Sequence, residues 1–128
     1  MKNLLIDTNI YTDALNGKVD VIKVLQRAPK ISICSISIGE LLSGFKAGSK
    51  EDKNREELEE FLDSPRVQLH TIDEETAEFY AEIKNGLRKK GKPIPTNEIW
   101  IASIALQHGL KLYTNDRHFK YVPGLMLV

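Results

Sequence analysis

Leu4-Leu5-Ile6-Asp7-Thr8-Asn9-Ile10 opens the chain with an apolar run that stops on a carboxylate. Three apolar residues between polar ones read as a short strand buried on both faces, the kind found inside a parallel sheet. Asp7, Thr8 and Asn9 carry short oxygen-bearing side chains that accept backbone N–H groups, so the chain turns there into a helix over 9–15, stopped by Asn16-Gly17. The alternation continues downstream. Residues 31–36 are rich in β-branched side chains and read as a second strand, with a helix over 37–45 after it. Brief strands follow at 67–71 and 110–114, and 125–128 reads as an edge strand. Helical spacing marks 19–27, 50–63, 73–90 and 96–108, the last two halted by Gly91 and Gly109. Strands alternating with helices predict an α/β fold whose mostly parallel central sheet, of about five strands, is covered on both faces. The 128 residues fit one domain, 1–128, without repeat, low-complexity tract or linker.

Carboxylates recur at the seams of this pattern. Asp7 ends the first strand, Glu40 follows the second, Glu98 opens the apolar helix Ile99-Trp100-Ile101, and Asp116 follows the fourth strand. The strand ends of an open α/β sheet share one edge, where ligands bind. Acids gathered there repel unless cations sit between them, so the arrangement predicts a divalent-metal site. Each acid also has a purely structural use. Asp7 suits a helix cap, and Ser37-Ile38-Gly39-Glu40 fits a capping box. Glu98 favours the helix macrodipole, and Asp116 suits a Thr-Asn-Asp turn.

Composition narrows the class. Lys plus Arg equals Asp plus Glu at 18 each, which argues against nucleic-acid binding by the whole surface while leaving local patches open. The lone Cys34 excludes an internal disulfide and suits a reducing compartment. The opening Met1-Lys2-Asn3-Leu4 is too soon interrupted by Asp7 for a signal peptide, and no apolar run approaches the roughly 20 residues that span a bilayer. A cytoplasmic protein is expected. His70, His108 and His118 lack zinc spacing, and Gly39 and Gly44 make no phosphate loop. A receiver-like or haloacid-dehalogenase-like phosphoryl-transfer domain fits poorly, because Thr8 and Asn9 stand where those would carry further acids.

Four stretches together resemble the motifs of PIN-domain ribonucleases, and more closely those of VapC-type toxins from toxin–antitoxin pairs. They are Leu5-Ile6-Asp7-Thr8-Asn9-Ile10, the run 36–44 around Glu40, the run 93–102 around Glu98, and the run 112–119 around Asp116. The resemblance covers nearly the whole chain and implies an α/β/α sandwich and a metal-dependent endoribonuclease. It departs at Glu98, where the family usually has Asp, so one carboxylate stands a methylene further out. A PIN-like RNA- or protein-binding module with catalysis impaired by Glu98 is the alternative.

On this reading Asp7, Glu40, Glu98 and Asp116 are the catalytic and metal-binding residues, holding one or two Mg2+ or Mn2+ ions that activate water and stabilise the leaving oxygen. Asp7 and Asp116 are the first choices as direct ligands. Thr8, Asn9 and Thr114 would orient ligands or water, or simply bond the turns. Arg88, Lys89, Lys90, Lys92, Arg117 and His118 adjoin the acids in sequence and are expected to grip RNA phosphates, although such runs are usually solvated helix faces. The resemblance further implies a cognate antitoxin and a homodimer. Val21, Val24, Leu25, Leu41, Leu42 and Phe45 either line a groove for a partner helix or are core.

Overall fold

The computed structural model describes residues 3–128; Met1 and Lys2, part of the opening judged too short for a signal peptide, lie outside them. Strand β1 (Asn3–Ile6) is followed by helices α1 (Thr8–Leu15) and α2 (Val19–Arg27), then strand β2 (Lys30–Cys34) and helices α3 (Ser35–Ala47) and α4 (Glu51–Asp63). Strand β3 (Val67–His70), helices α5 (Glu74–Lys89) and α6 (Thr96–His108), strand β4 (Lys111–Tyr113) and a short 3-10 helix (Arg117–Tyr121) complete the chain. Among the described residues no helix is long and apolar enough to cross a membrane.

All pairings in the sheet β3-β2-β1-β4 are parallel. The expected edge strand at 125–128 is reduced to one parallel bridge, Leu112 to Leu127, flanked by hydrogen bonds from Leu112 N–H to Met126 (2.8 Å) and from Val128 N–H to Leu112 (3.0 Å).

Period-two alternation splits the core into two layers. Leu4 and Ile6 face a cluster built with Ile10, Tyr11, Ile33, Leu41, Phe45 and Leu58 from the α1–α4 side. Leu5, between them, joins the opposite cluster with Ile83, Leu87, Ile104 and Leu112 under α5 and α6. Leu4, Leu5 and Ile6 are all fully buried, as a central strand of a doubly covered sheet requires. Val21, Leu41 and Phe45 are buried in this core, and Val24, Leu25 and Leu42 are partly buried against the same cluster.

The order 3-2-1-4 sets the functional edge. From β1 the chain steps outward to β2 and β3, then returns across the sheet to β4 on the other flank of β1. The connections diverge between β1 and β4, leaving a crevice at their C-terminal ends. Asp7 and Thr114 are the first residues past these two strands, and the Asp7 N–H reaches the Tyr113 carbonyl at 3.4 Å.

Candidate active site

Asp7 caps α1 from an extended backbone, its Oδ1 accepting the Ile10 N–H at 2.9 Å. Its Oδ2 accepts the Thr114 hydroxyl, whose oxygen in turn accepts the Asp116 N–H at 2.9 Å. One threonine thus couples the ends of β1 and β4. Asp7 is only 5% exposed, and burial pushes its carboxyl above the usual range, with the Asp116 and Asp13 charges adding to the rise. The bonds from Thr114 and Ile10 pull the other way.

Glu40 corrects the sequence reading of its neighbourhood. Helix α3 begins at Ser35, two residues before the expected start, and its cap is Cys34, whose Sγ accepts the Ile36 N–H at 3.4 Å. Ser37 is therefore the third helical residue, fully buried with an unpartnered hydroxyl, and no capping box forms with Glu40. Glu40 lies in the second turn, and other partners orient it. Its Oε1 accepts the Thr8 hydroxyl at 2.5 Å and its Oε2 accepts the Asn97 amide at 3.1 Å. The latch ties the starts of α1 and α6 to α3.

Glu98 occupies the first turn of α6, and Asp116 caps the 3-10 helix by accepting the His118 N–H at 2.9 Å. The His118 Nδ1 stands 2.9 Å from Glu98 Oε2 and 3.2 Å from Asp116 Oδ1. Burial, and next a hydrogen bond to Asp116, push the Glu98 carboxyl up from 4.5 to about 7, against the pull of His118. Asp116 is held below its ordinary value, chiefly by that same bond from Glu98. The two carboxyls are thus shifted in opposite directions by their proximity.

Asp7, Glu40, Glu98 and Asp116 all line one cavity of about 100 Å3. Thr8, Asn9 and Asn97 share its wall, and Ile101 and Phe119 give it an apolar side. Four acids from four separate stretches of chain meet in a space that fits an ion and a few waters. Carboxylates gathered in one cavity repel one another unless a cation lies between them, and their oxygens suit a hard divalent ion such as Mg2+ or Mn2+. Glu98, Asp116 and His118 each place a donor atom within 4.8 Å of the others.

The expected basic residues divide. Arg117 and His118 line a recess that shares Asn9 and Asp116 with the acidic cavity and also contains Lys18. Arg88, Lys89, Lys90 and Lys92 do not line the cavity. The Arg88 guanidinium is bonded to Asn85, and Lys92 Nζ lies 5.1 Å from the Tyr121 ring. Two contributors escaped sequence reasoning. Asn97 lies beside Glu98 in the third motif, but its reach to Glu40, 57 residues away, has no local signal. Lys18 follows a Gly turn and carries none either.

A profile of the PIN domain matches residues 4–125. Ribonuclease VapC2 of Rickettsia felis is 31% identical over 128 residues, covering 96% of this chain and 94% of that protein. The tRNA(fMet)-specific endonuclease VapC of Salmonella typhimurium is 26% identical over 130 residues, covering 99% and 97%. Among solved structures, VapBC2 from Rickettsia felis bound to a DNA fragment from its promoter matches with a TM-score of 0.87 at 29% identity, covering 98% of this chain and 97% of the chain compared. With its profile match, its relatives and its switch-point acids in agreement, this chain belongs to the PIN domain family, among the VapC proteins.

Proposed function

We infer that this protein is a metal-dependent endoribonuclease, the toxin of a toxin–antitoxin pair, cutting RNA phosphodiester bonds at the cavity between β1 and β4. The observation that carries the reading is the convergence of Asp7, Glu40, Glu98 and Asp116 on one small pocket. Asp7 and Asp116, the N-caps of their helices, are the best-fixed ligands for one or two Mg2+ or Mn2+ ions. When bound, such an ion supplies Lewis acidity that activates water and neutralises charge building on the phosphate.

The chain's own groups do the rest. Thr114 and the Ile10 N–H hold both oxygens of Asp7. Thr8 and Asn97 hold both oxygens of Glu40, so neither acid must reorganise when substrate arrives. Glu98 lines the same cavity, from where a carboxylate can exchange a proton with attacking water or the leaving oxygen. Ile101 and Phe119 exclude water from one side.

RNA has a path on both sides of the pocket. One recess runs along Ser35, Gly39, Ser43 and Gly44 of α3, where small side chains let a backbone approach, and shares Glu40 and Asn97 with the cavity. The other carries Lys18 and Arg117, whose positive charge suits the flanking phosphates, beside His118. The basic run 88–92 lines neither recess and is left for more distant phosphates. The Salmonella typhimurium relative's name points to transfer RNA as the first substrate to try. The VapBC complex from Rickettsia felis supports a cognate antitoxin as partner of this chain. A homodimer in the cytoplasm completes the proposal.

The test is cleavage of transfer and ribosomal RNA by purified protein, freed of antitoxin, with Mn2+ or EDTA. Expected is Mn2+-dependent cutting that stops with EDTA and in Asp7→Asn, with the ends of the products sequenced to locate the cut. Intact RNA alongside measurable Mn2+ binding would favour a binding module over an enzyme.

A further inference from the structure

We propose that His118 binds the active-site cation through Nδ1, making a mixed nitrogen–oxygen site that prefers Mn2+ to Mg2+. The proposal rests on the metal-dependent reading above and goes beyond its four carboxylates.

Three observations place the imidazole. Its Nδ1 points between Glu98 and Asp116, at 2.9 and 3.2 Å from their oxygens. One donor atom from each of the three lies within 4.8 Å of the others. Ligands about 2.0–2.2 Å from a shared ion stand about 3 Å apart when adjacent and just over 4 Å apart when opposite, so this spread suits a common ion. The second observation is that the backbone bearing the ring is fixed. Asp116 accepts the His118 N–H at 2.9 Å, which starts the 3-10 turn, and the next residue, Phe119, is buried to 1% exposure and anchors it. The third is Glu98 itself. Its side chain, one methylene longer than Asp, brings Oε2 to 2.9 Å from the ring nitrogen.

A histidine beside two acids is also what an ordinary ion pair looks like. Here, however, both acids line the pocket that Asp7 and Glu40 also line. The imidazole is the nitrogen donor that reaches them. A carboxylate-only site suits Mg2+, which demands strict octahedral oxygen coordination and sheds water reluctantly. Imidazole is a softer donor that favours ions further along the divalent transition series. Adding it tilts the site towards Mn2+. The longer Glu98 then becomes part of an altered ligand set rather than a defect in the usual one.

Pulsed electron paramagnetic resonance on the full-length, Mn2+-loaded protein reads the bond directly. Expected is a 14N coupling from a directly bound imidazole, replaced by a 15N pattern when the protein carries 15N-histidine. In His118→Ala the coupling disappears while Mn2+ still binds. Calorimetry should then show Mn2+ affinity falling about tenfold, with Mg2+ affinity changed less than about twofold. The His118 side chain is 50% exposed, so its truncation leaves the core intact, which circular dichroism checks. Mn2+ bound by the wild type without nitrogen coupling, or coupling that survives in His118→Ala, overturns the proposal and leaves the carboxylate site standing. Failure of the wild type to bind Mn2+ at all overturns both.

Discussion

Two clusters of titratable and polar side chains lie against this sheet, and they differ in how they settle their charges. At the β3 side, His70 Nε2 lies 3.0 Å from the Ser32 hydroxyl, and Ser32 donates to Asn3 Oδ1 at 3.1 Å. The ring stacks on His108 with centroids 4.3 Å apart. Burial first, and His108 second, push the His70 pKa below its ordinary value, so the ring stays neutral. A neutral imidazole, a hydroxyl and an amide satisfy one another. At the crevice between β1 and β4, neutrality is not available to all members at once. Burial drives Asp7 and Glu98 up while Asp116 is held down, so the acids there do not balance one another. The first cluster is complete as folded. The second calls for a cation from outside, which is the physical difference between architecture and a site.

Substitutions at the two clusters should therefore separate activity from stability. The largest effect is expected for Asp7→Asn, which keeps the cap on α1 but removes a buried charge. RNA cleavage should fall roughly a hundredfold or more, with no loss in melting temperature. Asn97→Ala frees one oxygen of Glu40 and should cost about tenfold in cleavage, with circular dichroism unchanged, because Asn97 is exposed. Ser32→Ala is the converse. It leaves the buried His70 without its partner, so urea unfolding should show a loss of about 1–3 kcal/mol while cleavage stays within about twofold. A drop in cleavage that merely tracks stability in all three variants would erase the distinction.

The smallest effect is in pH dependence, where the clusters should run in opposite directions in chelator-treated protein. Folded Glu98 keeps its proton up to about 7, whereas the unfolded chain loses it near 4.5. Stability from this group is thus lost as pH rises through that window. Glu98→Gln should gain melting temperature relative to wild type from pH 4.5 to 7. Folded His70 resists protonation that the unfolded chain accepts below 6.5, so its contribution is lost as pH falls. His70→Gln should gain relative to wild type towards acid. Parallel trends in the two variants would contradict the assigned shifts.

The sequence made the edge legible where the signal was local. Asp7, Glu98 and Asp116 each stand at a strand end or helix start, and a change of hydrophobic period marks such places. Glu40 was legible as an acid following the second strand, but its setting was misread. Its neighbourhood mimics a capping box, whereas Cys34, a poor acceptor that propensity rules overlook, starts the helix two residues early. What holds Glu40 was not legible at all, because Thr8 and Asn97 come from 32 and 57 residues away. The basic run 88–92 adjoins Glu98 in sequence but not in the cavity wall, since α5 ends before the Pro93 loop carries the chain to α6. The final strand shrank to one bridge because only Leu112 of β4 meets the C-terminal segment.

The central claim is that acids from four separate stretches form one cation pocket, and titration of Mn2+ into chelator-treated protein tests it most directly. Saturable binding of one or two ions per chain is expected, abolished in the double variant Asp7→Asn, Asp116→Asn while the fold is retained. Absence of binding in the wild type, or equal binding in the double variant, would contradict it.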